Sequence, residues 1–331
     1  MIDSLLHAYT PLLIWSGLGL LLFRFIPDSF SKWLALALYW VGVPLQLLVL
    51  GRQTELSNGG GLIPFVAVGV LLLSMSLALL SWWGLEWLSS RKATESSQES
   101  QNSLFNSLFS SINVLGRPSL GSFMLASMLG NTGFIGLALT QVLFGADNIS
   151  WPVLFSVTSN VVGNYGIAVF IASYFGRSET KNHWWIQLRD VLTVPTLWAF
   201  IIGFSTRHVE LPSRLETGLQ QAVWVVIAFA LLLVGLRLGS VKGWRSLKRA
   251  LLPTLLKVVI VPMLVGLGAT YLGLTGEPRL TLVLMSGTPT GLSVLILAEV
   301  YELDRELLAS SIALSFVGLL LVLPLWLAWF G

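Results

Sequence analysis

The sequence has no cysteine and few charged residues. Its 331 residues include 19 Lys and Arg, 16 Asp and Glu and 3 His, so only 11% are charged, against about 25% in a typical soluble domain. The lack of cysteine excludes disulfides, thiolate metal sites and cysteine nucleophiles. Three histidines leave little for a metal site, so we expect no metal and no cofactor. The net charge of +3 is too small to indicate nucleic acid.

Hydrophobic residues, in contrast, make up 55% of the chain, and the mean hydropathy is +0.80. A bilayer core about 30 Å thick is crossed by about 20 apolar helical residues. Stretches of that size predict an all-α polytopic membrane protein with ten transmembrane helices, which we number spans 1 to 10. They lie at about 5–25, 33–50, 62–85, 120–144, 151–175, 190–206, 219–238, 251–273, 280–300 and 307–330.

Lysine and arginine indicate the orientation, because they accumulate in cytoplasmic loops. With ten spans both termini share one side, and the loops on that side hold only Arg52, Arg207, Arg214 and Arg279. Fourteen of the remaining Lys and Arg residues fall on the other side, and Lys257 falls inside span 8. We therefore expect a multi-pass protein of the cell (inner) membrane, surrounded by lipid, with both termini outside the cytoplasm.

One polar segment divides the first half of the chain. Residues 89–116 begin with SSRKATESSQESQNS, which is typical of a disordered linker. Leu104, Phe105, Leu108, Phe109 and Ile112 then recur at helical spacing, which favours an interfacial helix on the cytoplasmic membrane surface over a solvated linker. The predicted organisation is spans 1–3 in 1–88, this linker in 89–116, spans 4–5 in 117–176, a cytoplasmic loop in 177–189 and spans 6–10 in 190–331.

Spans 4 and 9 are each interrupted near the middle by glycine, proline and small polar residues. Residues 129–136 read LGNTGFIG, and residues 286–293 read SGTPTGLS. The two breaks are about half a chain apart, which predicts two five-span repeats. Because five is odd, the repeats have opposite topology. Interrupted helices at matching positions of inverted repeats indicate the binding site of a secondary transporter.

The breaks also predict the chemistry of the site. Pro289 cannot continue a helical hydrogen-bond ladder, and freed backbone groups must line a cavity rather than face lipid. The starts of the two following half-helices then direct partial positive charge to one point, which predicts an anion site without a basic side chain. The candidate substrate-binding residues are Gly130, Asn131, Thr132, Gly133, Asn160, Asn164, Thr288, Pro289, Thr290, Ser293 and Gln46.

Acidic residues are missing from the predicted span centres, and this disfavours a cation substrate or a carboxylate proton relay. We expect Lys257, near the cytoplasmic end of span 8, to extend its amine to the membrane surface. A membrane-embedded enzyme is disfavoured because Ser293 lacks the second glycine of a Gly-x-Ser-x-Gly motif. The three histidines, His7, His183 and His208, lie at span ends or in loops. We therefore expect no enzyme.

Two motifs resemble the auxin efflux carrier family in its short bacterial form. Residues 130–139, GNTGFIGLAL, are close to that family's Asn-Thr-Gly-Phe-Leu-Gly-x-Pro-Leu signature in span 4. Pro289, the run Leu297-Ala298-Glu299-x-Tyr301 and the following Asp304, Glu306-Leu307 and Ala309-Ser310 resemble its span 9 motif and the start of span 10. Ala138 stands where proline is common, and Gly130 stands where the plant carriers have the crossover proline.

This resemblance implies two inverted five-helix repeats, in which spans 4 and 9 cross as broken helices in a mobile transport domain. Spans 1, 2, 6 and 7 would form a scaffold that dimerises. It also implies an organic anion substrate, with dicarboxylates such as malate or malonate and indole-type acids as the known classes, moved by an elevator-type alternating-access movement. The alternative is a sodium-coupled organic anion symporter of the bile acid symporter type, which would bind sodium through Asn, Thr and backbone carbonyl groups.

Overall fold

The computed structural model describes residues 2–53, 60–95, 116–145, 149–176, 195–239 and 244–331. Within these ranges the regular structure is helical and contains no β-strand. The predicted interfacial helix at 104–112 and the predicted loop at 177–189 lie outside the described residues.

Fifteen α-helices follow one another along the described chain. They are α1 (Ile2–Leu22), α2 (Asp28–Ala37), α3 (Val43–Gln53), α4 (Ile63–Glu95), α5 (Arg117–Met128), α6 (Leu137–Phe144), α7 (Ser150–Thr158), α8 (Ala168–Phe175), α9 (Pro195–Ser205), α10 (Ser213–Gly239), α11 (Trp244–Leu255), α12 (Val261–Tyr271), α13 (Gly276–Ser286), α14 (Ser293–Val300) and α15 (Arg305–Phe330).

Six continuous helical stretches in the described residues are long and apolar enough to cross a membrane. They are Ser29–Gln53, Gly60–Trp87, Ser150–Phe175, Ser213–Gly239, Ser246–Tyr271 and Arg305–Phe330. They correspond to predicted spans 2, 3, 5, 7, 8 and 10. The other four predicted spans contain shorter apolar helices or helices that end near the middle, so the count of ten remains a prediction.

Four π-helical segments interrupt the regular α-helical ladder within the described residues. They are Leu38–Gly42, Thr132–Gly136, Ser159–Ile167 and Leu256–Ile260. π-Helical turns are rare and are frequently found at functional sites. These segments contain Tyr39, Thr132, Asn160, Asn164 and Lys257, and all five residues belong to the region where the two interrupted helices meet.

Glycines allow two pairs of helices to approach closely. A methyl group on Gly19 of α1 would collide with the carbonyl of Leu232 in α10, and one on Gly235 would collide with the carbonyl of Ser16. A methyl group on Gly203 of α9 would likewise collide with the carbonyl of Leu48 in α3. Small residues at such contacts are typical of helix pairs in membranes, where close packing drives association.

The outer surface is apolar, as a lipid-facing surface requires. Leu21, Phe65, Trp83 and Leu321 expose about 70% of their side chains. The interior holds tightly buried aromatic residues, including Phe123, Phe155 and Trp326. The large apolar side chains exposed on the surface support a multi-pass membrane protein.

Asp304 connects three helices at the start of α15. Its carboxylate accepts a hydrogen bond from the backbone N–H of Leu307 at 3.0 Å, and so caps α15. The same carboxylate accepts from the Ser119 hydroxyl of α5 at 2.8 Å and pairs with Arg249 of α11 at 3.2 Å. The acidic residue after span 9 therefore has a structural role in holding the interrupted helices in place.

The contact between α1 and α10 gives a testable prediction. Gly19→Ala should destabilise the protein by about 1–3 kcal/mol, because the added methyl group overlaps a backbone carbonyl that cannot rotate away. Gly17→Ala on the same helix is the matched control, since nothing lies within 4 Å of the added atom. It should be neutral or stabilising by about 0.5–1 kcal/mol. Thermal unfolding of both variants in detergent checks this, and equal midpoints would show that the contact is not tight.

Candidate functional site

Two helix interruptions, called breaks below, lie next to each other in the middle of the structure. Helix α5 ends at Met128, Leu129 is extended with φ −88° and ψ 120°, and helical structure resumes at Thr132. The second break follows the end of α13 at Ser286 and closes where α14 starts at Ser293. We call the residues of the two breaks, 129–131 and 287–292, the crossover.

The two breaks satisfy each other's backbone groups. The N–H of Asn131 donates to the carbonyl of Pro289 at 2.7 Å, and the N–H of Gly291 donates to the carbonyl of Leu129 at 3.0 Å. Gly130 and Thr290 lie between these bonds as an isolated antiparallel bridge. Buried backbone polar groups without partners are costly, so this reciprocal pairing allows both helices to stop inside the protein.

Gly130 is required by this close approach. A methyl group there would overlap the Thr288 hydroxyl and would lie 3.0 Å from the Nζ atom of Lys257. The Thr288 hydroxyl donates to the carbonyl of Met285 at 3.0 Å, and the Thr290 hydroxyl donates to the carbonyl of Ala126 at 3.0 Å. Predicted site residues Thr288, Pro289 and Thr290 are thus buried parts of the crossover and do not line the cavity described next.

A cavity with about 640 Å³ of empty volume opens on one side of the crossover. No charged side chain is among the residues around it. They are Ala35, Leu38, Tyr39, Val43, Gly130, Asn131, Thr132, Gly133, Phe134, Asn160, Asn164, Leu233, Gly291, Leu292, Ser293 and Ile296. Seven of the eleven predicted site residues are in this set: Gly130, Asn131, Thr132, Gly133, Asn160, Asn164 and Ser293.

Asn131 begins the helix that follows the first break. Its side-chain oxygen accepts from the N–H of Phe134 at 3.3 Å, and its carbonyl accepts from the N–H groups of Ile135 and Gly136 at 3.1 Å each. The N–H groups of Thr132 and Gly133 have no acceptor within their own helix. The side-chain nitrogen of Asn131 has no hydrogen-bond partner in the described residues, although the residue is only 6% exposed.

The second half-helix, α14, also starts at the cavity, and no side chain caps it. The first N–H groups of a helix have no acceptor within it, and Ser293 is the first residue of α14. Two helix starts therefore lie on one cavity, and their partial positive charges add there. The arrangement is complementary to a negatively charged group.

A chain of polar side chains joins the two helix starts. Ser293 donates to Asn164 at 2.9 Å, Asn164 donates to Asn160 at 2.7 Å, and Asn160 donates to the carbonyl of Ser156 at 2.8 Å. The hydroxyl of Ser156 is 3.4 Å from that of Thr132. Asn160 and Asn164 lie in the π-helical segment of span 5, which places both amides on one face toward the cavity.

Gln46 is a further predicted site residue that does not line this cavity. It is fully buried in α3, and neither atom of its amide has a partner in the described residues. On the same helix Val43 lines the cavity at the crossover, whereas Val49, Leu50 and Gln53 line a second one of about 530 Å³ with Gln141, Gln220, Val223 and Trp224. Gln46 thus lies along the helix between two cavities.

The position of Lys257 contradicts the prediction that its amine extends to the membrane surface. It is 2% exposed, and its Nζ atom donates to the carbonyl of Ser286 at 2.9 Å. We expected span 8 to start near residue 251, but its helix starts at Trp244, which puts Lys257 about 20 Å along it. The amine is directed to the crossover and does not extend along the helix toward its start.

Tyr39 and Ser156 are further residues that the sequence interpretation missed. Tyr39 lines the cavity from the π-helical segment of span 2, and Ser156 belongs to the chain of polar side chains. A lone tyrosine or serine in an apolar span carries no sequence signal. The one usable signal was for Lys257, because a charged residue inside a span is a functional candidate by default. The described residues contain no group of three or more His, Asp or Glu that could hold a metal.

Comparisons with known proteins are consistent with this geometry. A family model described as a membrane transport protein matches residues 102–327, which include both breaks. An uncharacterised transporter of Methanocaldococcus jannaschii is 25% identical over 214 residues, 62% of this chain and 67% of the relative. One of Methanothermobacter thermautotrophicus is 27% identical over 208 residues, 61% and 65% of the two chains. The uncharacterised transporter YfdV of Escherichia coli K12 is 24% identical over 202 residues, 59% and 63%. The matches thus span about two thirds of these relatives.

The unpartnered donor of Asn131 gives a second prediction. Asn131→Asp keeps an oxygen that caps Phe134 but removes the donor and adds a negative charge. It should fold with nearly the wild-type unfolding midpoint and lose anion binding. Asn131→Ala should also lose it, with an added stability cost of about 1 kcal/mol from the missing cap. Thermal-shift titration with malonate and other carboxylates measures both effects. Wild-type affinity in either variant would show that Asn131 only packs.

Proposed function

We propose that this chain, which belongs to the membrane transport protein family, is a secondary carrier that moves an organic anion across the membrane. The family match confirms the resemblance to the auxin efflux carriers that the motifs in residues 130–139 and 289–310 indicated. The substrate class, the movement and the energy coupling are our proposals. They rest on the crossover and its cavity.

One observation carries the anion assignment. Two helix starts lie at a cavity whose lining, within the described residues, is uncharged. Asn131 lines the same cavity, and its buried side-chain nitrogen has no partner in those residues. A carboxylate placed there would accept hydrogen bonds from Asn131 and from the free N–H groups at Thr132 and Gly133. Leu38, Val43, Leu233 and other apolar lining residues suit the carbon skeleton of an organic acid.

The packing supports the proposed inverted repeats. Gly203 and Gly235 follow Gly19 and Gly51 by equal numbers of residues, and the pair α3–α9 repeats the close glycine contact of the pair α1–α10. At the crossover, Asn131 donates to Pro289 as Gly291 donates to Leu129. These are the exchanges that a twofold relation between spans 1–5 and spans 6–10 would produce. We therefore propose ten spans in two inverted halves.

The position of the cavity supports an elevator-type movement. Five of the lining residues come from spans 2 and 7: Ala35, Leu38, Tyr39, Val43 and Leu233. The other eleven come from spans 4, 5 and 9. We propose that spans 1, 2, 6 and 7 form a scaffold and that the crossover domain slides against it, carrying the anion. During this movement the crossover domain would slide past Gln46, which lies between the two cavities.

The membrane placement is also a proposal. The bias of Lys and Arg between the two sides favours both termini outside the cytoplasm in the cell membrane. The family resemblance favours a homodimer through the scaffold.

The proposed anion site predicts a difference between an acid and its amide. The purified protein should bind the carboxylate that stabilises it most in a thermal-shift screen, and the primary amide of that acid should bind about 30-fold more weakly. The reason is that a partly buried charge at a helix start is worth up to about 2 kcal/mol. Calorimetry on the matched pair tests this. Equal affinities would exclude the helix-start site while leaving the family assignment intact.

The orientation can be tested by labelling introduced cysteines. Because the chain has no cysteine of its own, no other residue of it gives a background reaction with a maleimide. Single cysteines in place of Ser97 and after Gly331 should react from opposite sides with a membrane-impermeant maleimide. In intact cells, we expect labelling at the C-terminus and none at position 97 until the membrane is opened. Labelling at position 97 in intact cells would invert the proposed orientation.

A further inference from the structure

A buried lysine lies behind the crossover and is not among the described residues that line its cavity. Lys257 is near the middle of the helical stretch Ser246–Tyr271 and is 2% exposed. Its Nζ atom donates to the carbonyl of Ser286 at 2.9 Å, and this is its one hydrogen bond in the described residues. No acidic side chain in those residues pairs with it. An amine that reaches the membrane surface does not fit this geometry.

The amine is located at the end of a half-helix. Ser286 is the last residue of α13, and the last carbonyl groups of a helix have no donor within it. These carbonyl groups carry partial negative charge and favour a cation. In transporters with interrupted helices, half-helix ends and unwound carbonyl groups are where a coupling cation is held. Lys257 places its amine at such an end.

The two halves of the crossover differ at this point. In one half, the Thr290 hydroxyl donates to the carbonyl of Ala126. Thr290 is bridged to Gly130, which has no side chain to donate to Ser286 in the same way. Lys257 supplies that donor, with its Nζ atom 3.0 Å from where a side chain on Gly130 would begin. A neutral hydroxyl in one half is therefore replaced by an amine in the other.

We propose that Lys257 is a resident cation of the crossover, which takes the position of a coupling sodium ion and makes transport independent of sodium. In this proposal the protonated amine holds the end of α13 against Gly130 and places a positive charge behind the anion cavity. Lys257 does not line the cavity, so it acts as a positioning residue. This inference decides between the two carrier types left open by the sequence. Its predictions on anion binding and on sodium rest on the proposed function, whereas the amine rescue does not.

Chemical rescue tests the cation directly. Lys257→Ala should lower the thermal unfolding midpoint, because Ser286 loses its donor and a cavity remains. n-Propylammonium should raise the midpoint of this variant by about 2 °C or more in a saturable way. n-Propanol, which has a similar size and no charge, should not. The wild type and Lys257→Leu, whose side chain fills the space, are the controls and should not respond to the amine.

The outcomes separate a charge from a space filler. Equal rescue by propanol and propylammonium would overturn the proposal, and so would no rescue by either. If Lys257→Ala does not fold, Lys257→Gln and Lys257→Arg take its place. The neutral glutamine can still donate to Ser286, yet it should bind malonate at least tenfold more weakly than the charged arginine variant. Equal binding by the two variants would assign Lys257 a hydrogen-bonding role only.

Sodium replacement completes the test. The wild-type unfolding midpoint and malonate uptake into proteoliposomes should be the same in sodium chloride and in choline chloride of equal ionic strength. A requirement for sodium would overturn the resident cation and favour the sodium-coupled symporter. If wild-type protein binds no carboxylate at all, the proposed function fails, but the amine rescue still reports on Lys257 because it is measured by unfolding alone.

Discussion

The architecture depends on one constraint: a helix that stops inside a membrane protein must find partners for its freed backbone groups. Such groups cost several kcal/mol each when they are left unpaired in an apolar medium. Here each break supplies the partners of the other, through the bonds from Asn131 to Pro289 and from Gly291 to Leu129. Neither break is stable without its counterpart, so the two interrupted helices form one unit.

This unit explains why the surrounding residues are small, polar or unusual. Gly130 permits the backbones to touch, and Thr290 is held by Ala126 and by the Ser315 hydroxyl, which accepts from its N–H at 2.9 Å. The pairing uses donors and acceptors on the inside of the crossover and leaves the helix starts facing the cavity. The proposed anion site thus follows from how the breaks are stabilised, and it needs no basic residue on the cavity wall.

The sequence was informative where a local rule applies and uninformative where position in three dimensions decides. Glycine, proline and asparagine in apolar spans pointed to the segments that the structure places at the crossover. Asn160 and Asn164 were candidates because a buried amide needs partners, and both line the cavity. Lys257 was misread because its role depends on where its helix begins, which composition leaves uncertain. Tyr39 and Ser156 have ordinary side chains and gained their positions from π-helical turns and packing. Gln46 was predicted to bind substrate, and its place between two cavities could only come from the packing of α3.

The most direct test of the account is a structure determined with a bound carboxylate, chosen as the one that stabilises the wild-type protein most. The account predicts the carboxylate group at the crossover, with an oxygen about 2.7–3.2 Å from the side-chain nitrogen of Asn131 and a second interaction with the N–H groups at Thr132 and Gly133 or at Ser293. The carbon skeleton should lie against Leu38, Val43 and Leu233. A carboxylate held by arginine or lysine side chains away from the crossover, with the two helix starts empty of ligand, would contradict it.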